Sequence, residues 1–464
     1  MSREPIKVLF VAFGCEPGRG SEPGVGWGFV DEESRRRPVW VLTHAQQKEA
    51  LDNYIATKHK HYAIHPVYVS LPGLGWLWKS HFGINVYYYL WQLKAGRIGR
   101  KLHAKIGFDI VQHVSFTRYW MHTAAAMVGA PFVFGPVGGG DSYPAAFWSE
   151  LRFGERLREY YWKIVRLVME HDPLLVRTLR RARATIASGA YAREQLERLG
   201  SRNVDVMCAV APTPQLPPPG PGPGPGDVFR FVSVGRVPRW KGVHLSLQAF
   251  AKAFGPGSAN AGNQNVHYTI IGEGSDLSRL KQMAQDLGVA DRVTFAGDLP
   301  YAACLEHLAT AGAVLHTALR DSAGLVFEAL SLGVPVACCD IGTPSLLVDD
   351  TSGAVIPSSG GPDDVIARVR DVMLRWHGDL DHYRTLRAGA AARSRMMSRA
   401  ARGDMLEKIY ERVAKENGSP SGTSHGKPEG ASGTTQIEGS KGMNGRSANA
   451  ESAMRSGTAN SPRL

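Results

Sequence analysis

Short apolar runs alternate with longer helical stretches along most of this 464-residue chain, and the alternation occurs twice. Because a helix between two strands carries the chain back to the starting edge of a sheet, this pattern predicts parallel strands covered by helices. It therefore predicts two doubly wound α/β domains. The predicted strands are 7–14, 38–44, 65–72, 109–116, 131–139, 184–190 and 203–210, and then 229–236, 266–274, 293–299, 313–319, 335–342 and 353–357.

A run rich in proline and glycine separates the two series. Its prolines remove so many backbone donors that neither a helix nor a central strand can form there. The last part of the chain is rich in Gly, Ser, Thr and Asn, and it lacks the apolar residues that a folded segment must bury. We predict an N-terminal domain at 1–211, a linker at 212–227, a C-terminal domain at 228–385, helices at 386–416 that can cross back, and a disordered tail at 417–464.

Composition narrows the class of protein. The excess of 54 Lys and Arg over 42 Asp and Glu gives a net charge of +12, which favours anionic partners such as phosphates, lipid surfaces or nucleic acid. The 5 cysteines form no C-x-x-C pair, so neither a disulfide framework nor a zinc site is indicated. The first residues lead straight into a strand, and no apolar run is long enough to span a membrane. We expect a cytoplasmic protein.

Two cations follow the first strand of the C-terminal series. Arg236 stands at the end of the strand, and Lys241 comes shortly after it beside Gly242. In open α/β sheets the ligand lies beyond the carboxyl ends of the strands, so both side chains can reach a diphosphate from one loop. Ordinary solvated cations show the same spacing, and the pair alone is a weak motif.

Further residues at the same sheet edge strengthen the interpretation. A glycine turn follows the strand at 266–274, and Gly324 begins a helix whose first amides are free to bind phosphate. Glu328 lies one turn later in an apolar segment, where a charge needs a partner such as the hydroxyls of a ribose. The candidate nucleotide-binding residues are Arg236, Lys241, Gly272, Glu273, Gly274, Leu299, Ser322, Ala323, Gly324 and Leu325.

In combination these motifs resemble those of the retaining glycosyltransferases of family 4, the group 1 enzymes. The matches are Gly235-Arg236 with Lys241-Gly242, Gly272-x-Gly274, and Gly324-Leu325-Val326-x-Glu328-Ala329 followed by Gly333-Val334-Pro335-Val336. The resemblance implies the GT-B fold, in which two Rossmann-like domains face each other across a cleft. It also implies a nucleoside diphosphate sugar as co-substrate, with Arg236 and Lys241 on the diphosphate and Glu328 on the ribose.

One departure concerns the acidic pair of the family, which is usually spaced E-x7-E. Here Asp321 and Glu328 are separated by six residues, and the first acid is the shorter one. The resemblance implies that Asp321 contacts the hydroxyls of the donor sugar. The shorter spacing means either that a tightened loop preserves this contact or that the contact is weakened.

The N-terminal series contains two further candidates. The glycine-rich run at 14–28 fails the dinucleotide fingerprint because its third glycine comes one residue late, which argues against an oxidoreductase. It resembles a cleft-facing loop in a subset of these transferases, and the resemblance makes Gly24 and Gly26 candidate binding residues. A plain long turn is the alternative. His113 lies near the end of a buried-looking strand, where histidines are usually structural. The resemblance implies that His113 faces the donor sugar as a catalytic residue.

No metal site is expected. The only Asp-x-Asp is Asp379-Leu380-Asp381, which lies in a polar stretch away from any strand end. Arg236, Lys241 and the helix beginning at Gly324 are then left to neutralise the diphosphate. A mixed aromatic and basic region at 65–107 suits either a bilayer interface or partly buried aromatic residues.

The leading hypothesis is a metal-independent retaining hexosyltransferase. It would move sugar from a nucleoside diphosphate sugar to a glycan acceptor, lipid-linked, in cell-surface polysaccharide biosynthesis, with peripheral contact at an anionic membrane. A sugar-nucleotide enzyme such as an epimerase is one alternative. A nucleotide-sugar or nucleic-acid binding protein is the other, although no nucleic-acid motif is present.

Overall fold

Two parallel β-sheets, each covered by helices, form the frame of the protein. The computed structural model describes residues 6–19, 21–80, 83–210, 216, 218–320 and 323–416. The first sheet consists of β1 Val8–Ala12, β2 Val39–His44, β3 Ile64–Val69, β4 Ile110–Ser115, β5 Phe132–Val137, β6 Ala184–Ala187 and β7 Val204–Val206. The second consists of β8 Phe229–Val234, β9 Val266–Ile271, β10 Val293–Gly297, β11 Ala313–His316, β12 Val336–Cys339 and β13 Gly353–Ile356.

The order of the strands creates a switch point in each sheet. The first sheet runs β3-β2-β1-β4-β5-β6-β7 and the second runs β10-β9-β8-β11-β12-β13, with every pairing parallel. The direction of winding reverses between β1 and β4 and again between β8 and β11. A crevice opens beyond the carboxyl ends of the strands at such points, and ligands bind there in open α/β folds. Two Rossmann-like domains are thus confirmed.

The predicted strands are all present, although the predicted ranges run past the observed ends. All five residues of β1 and all six of β4 are buried, as expected for parallel strands covered on both faces. The helices are α1 Ser21–Ser34, α2 Lys48–Thr57, α3 Gly83–Ile106, α4 Ala125–Val128, α5 Phe153–Glu170, α6 Pro173–Arg181, α7 Ala190–Arg198, α8 Val243–Phe254, α9 Leu277–Asp286, α10 Tyr301–Ala309, α11 Gly324–Ser331, α12 Pro344–Leu347, α13 Gly361–Gly378, α14 Leu380–Met396 and α15 Arg399–Glu416.

Most aromatic residues of α3 belong to the hydrophobic core. Tyr87, Tyr88 and Trp91 are buried, and the rings of Phe13 and Trp91 meet edge to face with their centroids 5.0 Å apart. The aromatic residues of 65–107 were expected to lie either at a bilayer interface or partly buried in the protein. These three residues are buried. None of the helices in the described part of the chain is long and apolar enough to cross a bilayer.

The last described helix returns to the N-terminal domain. α15 packs against α1, and its side chains Leu406, Ile409, Tyr410 and Val413 share a core with β1. α14 stays with the second domain and runs across the position of the domain boundary expected at 385. The tail expected at 417–464, together with 211–215 and 217 of the linker, lies outside the described residues.

Arg402 fastens the same helix by polar contacts. Its guanidinium is buried, donates to the carbonyl oxygens of Gly28 and Ala209 at 2.9 Å each, and lies 3.9 Å from the centroid of the Phe29 ring. A buried cation that donates hydrogen bonds to carbonyl oxygens of two other chain segments fixes the position of its helix more specifically than apolar contact does.

We predict that Tyr410→Ala lowers the free energy of unfolding by about 3–5 kcal/mol, because it leaves a cavity in the core shared by α15 and the first sheet. Denaturant unfolding followed by circular dichroism measures the loss. Met405→Ala on the exposed side of α15 is the matched control and should change stability by less than about 0.5 kcal/mol. A loss for Tyr410→Ala as small as that of the control would contradict the docking of α15.

Candidate functional site

Three neighbouring strands of the second sheet end in glycines with positive φ. Gly235, Gly272 and Gly297 have φ angles of 123°, 126° and 70°. The amide of Gly235 donates to the Ile271 carbonyl at 2.9 Å, and the amide of Gly272 donates to the Gly297 carbonyl at 2.7 Å. A Cβ atom on Gly272 would lie 2.0 Å from the Gly235 carbonyl oxygen, so no other residue fits there. The three chain ends are therefore held close together at one edge of the sheet.

The glycine turn after β9 also supports the loop that carries Arg236. The amide of Val237 donates to the Glu273 carbonyl at 2.8 Å. A Cβ atom on Gly274 would lie 2.6 Å from the carbonyl carbon of Val237, which explains the second glycine of the pair. The side chain of Glu273 itself is exposed at the edge. Gly272 and Gly274 thus act by letting two backbone segments approach each other.

Arg236 and Lys241 both lie near the aromatic ring of Trp240. The guanidinium of Arg236 is 6.0 Å and the ammonium of Lys241 is 5.2 Å from the centroid of Trp240. Both residues line a narrow crevice between the ends of β8 and β11. The two predicted cations are therefore brought to the switch point of the second sheet.

The turn carrying Lys241 is tied to the segment that leads into α11. Gly242 ends this turn with a φ of 65°, and a Cβ atom there would lie 1.9 Å from the Thr317 carbonyl oxygen. The Thr317 hydroxyl donates to the Gly242 carbonyl at 2.8 Å, and the Leu319 amide donates to the Trp240 carbonyl at 2.9 Å. The position of Lys241 is thus coupled to the chain that delivers the helix N-terminus.

α11 begins at Gly324 on an open side of the protein. Among the described residues, a Cβ atom on Gly324 would meet no atom within 4 Å, and the preceding Ala323 provides no side-chain cap. The first amides of the helix lack intrahelical acceptors, and the helix dipole adds positive potential at this end. Leu325 is half-buried beside them. Asp321 and Ser322 lie outside the described residues, so their assignments stay predictions.

Glu328 has the partner that its apolar surroundings require. The hydroxyl of Tyr301 donates to Oε1 of Glu328 at 2.9 Å. Burial raises the pKa of the Glu328 carboxyl, and the hydrogen bond from Tyr301 offsets part of this rise. Tyr301 was not predicted as the partner of Glu328 because the two residues lie far apart along the chain. The available signal was its position two residues after Leu299, at the same sheet edge.

His113 lies inside the N-terminal domain rather than on its surface. Its Nε2 is 2.9 Å from the Phe116 carbonyl oxygen, and its Nδ1 is 3.1 Å from the Thr123 hydroxyl. The carbonyl can only accept, so Nε2 carries the proton and Nδ1 accepts from Thr123. Burial lowers the pKa of the imidazole to about 4, which keeps the ring neutral. Both ring nitrogens of His113 therefore have partners within the N-terminal domain, and its contact with a donor sugar stays a prediction.

The glycine-rich run at 14–28 is only partly a loop. Its second half forms the start of α1, so Gly24 and Gly26 lie on a helix. A Cβ atom on Gly26 would lie 1.8 Å from the Gly14 carbonyl oxygen, and one on Gly24 would lie 2.1 Å from the Arg19 carbonyl oxygen. These glycines let the helix lie against the preceding loop. Direct contact of either with a ligand stays a prediction.

A carboxylate that the sequence analysis did not select lies at the switch point of the first sheet. Glu22, in the first turn of α1, accepts hydrogen bonds from the Thr117 hydroxyl at 2.7 Å and from the Thr117 amide at 3.2 Å. Burial raises the pKa of Glu22 and lowers that of the nearby Arg118. The pair places one charge of each sign between the carboxyl ends of β1 and β4.

The two domains contact each other beside the candidate site. Arg320, which directly precedes Asp321, donates to the Asp141 carbonyl at 3.0 Å and forms a 2.5 Å ion pair with Glu159 of α5. The hydroxyl of Thr343 donates to the Ser188 carbonyl at 3.0 Å. Loops at the carboxyl ends of both sheets therefore face each other.

A cavity of about 460 Å³ opens between these loops. Its lining combines aromatic rings with carboxylates, which is the chemistry that binds sugar rings through their apolar faces and hydroxyls. The N-terminal domain contributes Asp141, Tyr143, Trp148 and Tyr191, and the C-terminal domain contributes Asp340.

The described residues contain no group of three or more His, Cys, Asp or Glu side chains that could hold a metal ion. Asp379 instead precedes α14, and its carboxylate accepts the His382 amide at 2.9 Å as an N-cap.

The fold and the arrangement at the cleft define the chain as a two-domain α/β protein of the GT-B class. A solved structure of Anabaena HepE in complex with UDP has the same fold, with a TM-score of 0.53, 16% identity and coverage of 88% of this chain and 100% of that one. Residues 223–391 match the family model of the glycosyl transferases group 1, so this segment is similar to the domain that the family shares.

Two curated proteins are also similar. One is D-inositol 3-phosphate glycosyltransferase of Geodermatophilus obscurus, which is 28% identical over 41% of this chain. The other is 2-deoxystreptamine N-acetyl-D-glucosaminyltransferase of Streptomyces fradiae, which is 30% identical over 32% of this chain. The chain spans less than half the length of these relatives, 42% and 41%.

We predict that Tyr301→Phe destabilises the protein more at neutral pH than at acidic pH. The raised pKa of Glu328 means that stability falls as pH rises above the ordinary carboxyl value of 4.5, because the folded state then holds a proton that the unfolded state has lost. Removing the Tyr301 bond raises this pKa further. The added loss at neutral pH should be about 1 kcal/mol, measured by denaturant unfolding at both pH values.

Glu328→Gln provides the control. In that background Tyr301→Phe should have the same effect at both pH values, because no carboxyl remains to titrate. An equal loss at both pH values in the otherwise unaltered chain would contradict the coupling.

Proposed function

We propose that this protein is a retaining glycosyltransferase that moves a hexosyl group from a nucleoside diphosphate sugar to a glycan acceptor. The observation that carries the proposal is that Arg236 and Lys241 line one crevice at the switch point between β8 and β11, in a loop that is hydrogen-bonded to the segment leading into α11, whose N-terminus adds positive potential. Three sources of positive potential at one sheet edge suit the two negative charges of a diphosphate leaving group.

The donor nucleotide occupies the C-terminal domain in this proposal. The first candidate is uridine diphosphate, because the similar HepE structure was solved with UDP. Glu328 binds the ribose hydroxyls, which replace the hydrogen bond that Tyr301 donates in the free protein. Asp321 contacts the donor sugar, and Gly272, Glu273, Gly274 and Leu299 border the base.

The acceptor occupies the cavity between the domains. Its aromatic and acidic lining supports a sugar-containing acceptor, and we propose a lipid-linked glycan of cell-surface polysaccharide biosynthesis. Such an acceptor lies in a membrane, so the protein would work at the cytoplasmic face with peripheral contact to an anionic bilayer.

A sugar-nucleotide epimerase is the nearest alternative function. It would use the same donor site but would need no second sugar site, so the interdomain cavity favours a transferase. Incubation with donor alone separates the two, because an epimerase alters the donor without any acceptor. A binding protein without chemistry would do neither.

We predict that Arg236→Ala and Lys241→Ala each weaken the affinity for uridine diphosphate by about tenfold or more. Each substitution removes one charge-assisted contact to the diphosphate. Isothermal titration calorimetry measures the affinity. Lys252→Ala, at the far end of α8, removes the same charge from the same domain and should bind like the unaltered protein. Unchanged affinity in both site variants would overturn the assignment of the site.

We predict that sugar transfer continues in the presence of EDTA. Fixed cations and a helix N-terminus neutralise the leaving group in this proposal, so no metal ion is needed for that role. Product formation is measured with EDTA and after adding back Mg²⁺ or Mn²⁺. Complete loss of transfer that either metal restores would show that the reaction depends on a metal.

A further inference from the structure

α5 buries charged residues and exposes an apolar face, which is the reverse of an ordinary surface helix. A surface helix normally buries its apolar face and exposes its charged face. In α5 the fully buried residues are instead Glu159, Arg166 and Glu170. The apolar residues lie on the outside.

The buried face is held by specific polar contacts. Glu159 pairs with Arg320 at 2.5 Å, Arg166 donates to the Ser142 hydroxyl at 2.9 Å, and Glu170 accepts from Arg198 at 2.6 Å. These partners come from three separate parts of the chain. Rotating the helix to bury its apolar face would leave several charges without partners, which is costly. The outward orientation is therefore fixed by the fold.

The outer face is a continuous apolar stripe. Its members recur at intervals of three and four residues over just more than four turns, so they lie side by side on one surface. Scattered exposed apolar residues are normal, but a contiguous patch of this kind marks an interaction surface. The stripe consists of Phe153, Leu157, Tyr160, Tyr161, Ile164, Leu167 and Val168, which are between 43% and 83% exposed.

The charge around the stripe has one sign. Between 152 and 183 every fully exposed charged side chain is cationic, whereas Glu155, Glu159, Glu170 and Asp172 are buried or half-buried. The exposed cations are Arg152, Arg156, Arg158, Lys163, Arg177, Arg180, Arg181 and Arg183. An apolar stripe bordered by cations fits the boundary between lipid headgroups and acyl chains.

Other occupants fit less well. In a symmetric pairing of two copies through this face, the cationic border of one copy would meet that of the other and repel it. The chain's own residues 417–464 are mostly polar and offer almost no aliphatic side chains to cover the stripe.

We propose that the outer face of α5 docks on an anionic lipid bilayer, with its apolar stripe inserted among the headgroups and its cations on anionic lipid. Glu159 and Lys163 of α5 also border the interdomain cavity, so a docked helix brings that cavity to the membrane surface. This proposal assigns a surface to the membrane contact of the proposed function, and it rests on the proposed function for that contact. Vesicle binding, however, is measured without any sugar transfer.

The test is co-sedimentation of the full chain with vesicles of phosphatidylcholine and phosphatidylglycerol, compared with vesicles of phosphatidylcholine alone. Leu157→Glu with Ile164→Glu should lower the partition coefficient by about tenfold or more. Arg156→Ala, Arg158→Ala and Lys163→Ala together should lower it by about a hundredfold on the anionic vesicles. The unaltered protein should bind the neutral vesicles much more weakly.

Matched controls change the same residue types elsewhere. Val228→Glu with Met396→Glu alters exposed apolar residues of the other domain, and Arg368→Ala with Arg370→Ala and Arg384→Ala removes three exposed cations there. Both controls should bind vesicles like the unaltered protein. All substituted side chains are exposed, so melting temperatures should stay unchanged.

Equal vesicle binding by the α5 variants and their controls would overturn the proposal. So would light scattering that shows a dimer of the unaltered chain which Leu157→Glu with Ile164→Glu converts to a monomer without any change in vesicle binding. That result would assign the stripe to a second copy. If nucleotide affinity fails while vesicle binding behaves as expected, the function is wrong and the surface stands.

Discussion

The close approach of Gly235 to Gly272 is the contact on which the candidate site depends. A Cβ atom at position 272 would lie only 2.0 Å from the carbonyl oxygen of Gly235. Any larger residue there would therefore push the ends of β8 and β9 apart. Arg236 follows one of these glycines directly, and its loop is hydrogen-bonded to the turn that follows the other. The backbone position from which the Arg236 side chain extends is therefore set by contact between the two turns.

The sheets could be read from the sequence because parallel strands buried on both faces are uniformly apolar. Local chemistry also selected Arg236, Lys241 and Gly324, whose roles in binding a nucleotide stay predictions. Tyr301 was missed because the need of Glu328 for a partner is visible in the sequence, whereas the identity of that partner depends on where α10 begins. The start of α1 was missed for a similar reason. Glycines at 24 and 26 look like loop residues until Gly14 is known to lie against them.

α5 shows a limit of pattern reasoning in physical terms. The spacing of its apolar residues is typical of an amphipathic helix, and such a helix usually buries its apolar side. The opposite orientation arises because Arg320 and Arg198, which are distant in sequence, meet Glu159 and Glu170. An apolar stripe alone cannot reveal which face is buried when buried ion pairs hold the other face.

The ion pair between Glu159 and Arg320 also links α5 to the C-terminal domain. Glu159 is almost fully buried, and Arg320 comes from the opposite domain, immediately before Asp321. Separating the domains would leave the carboxylate without its cation unless water enters, and an uncompensated buried charge is strongly unfavourable. The inner face of α5 therefore helps to hold the two domains together, while its outer face carries the apolar stripe. Docking at the proposed stripe and binding of the proposed donor would therefore both act through α5.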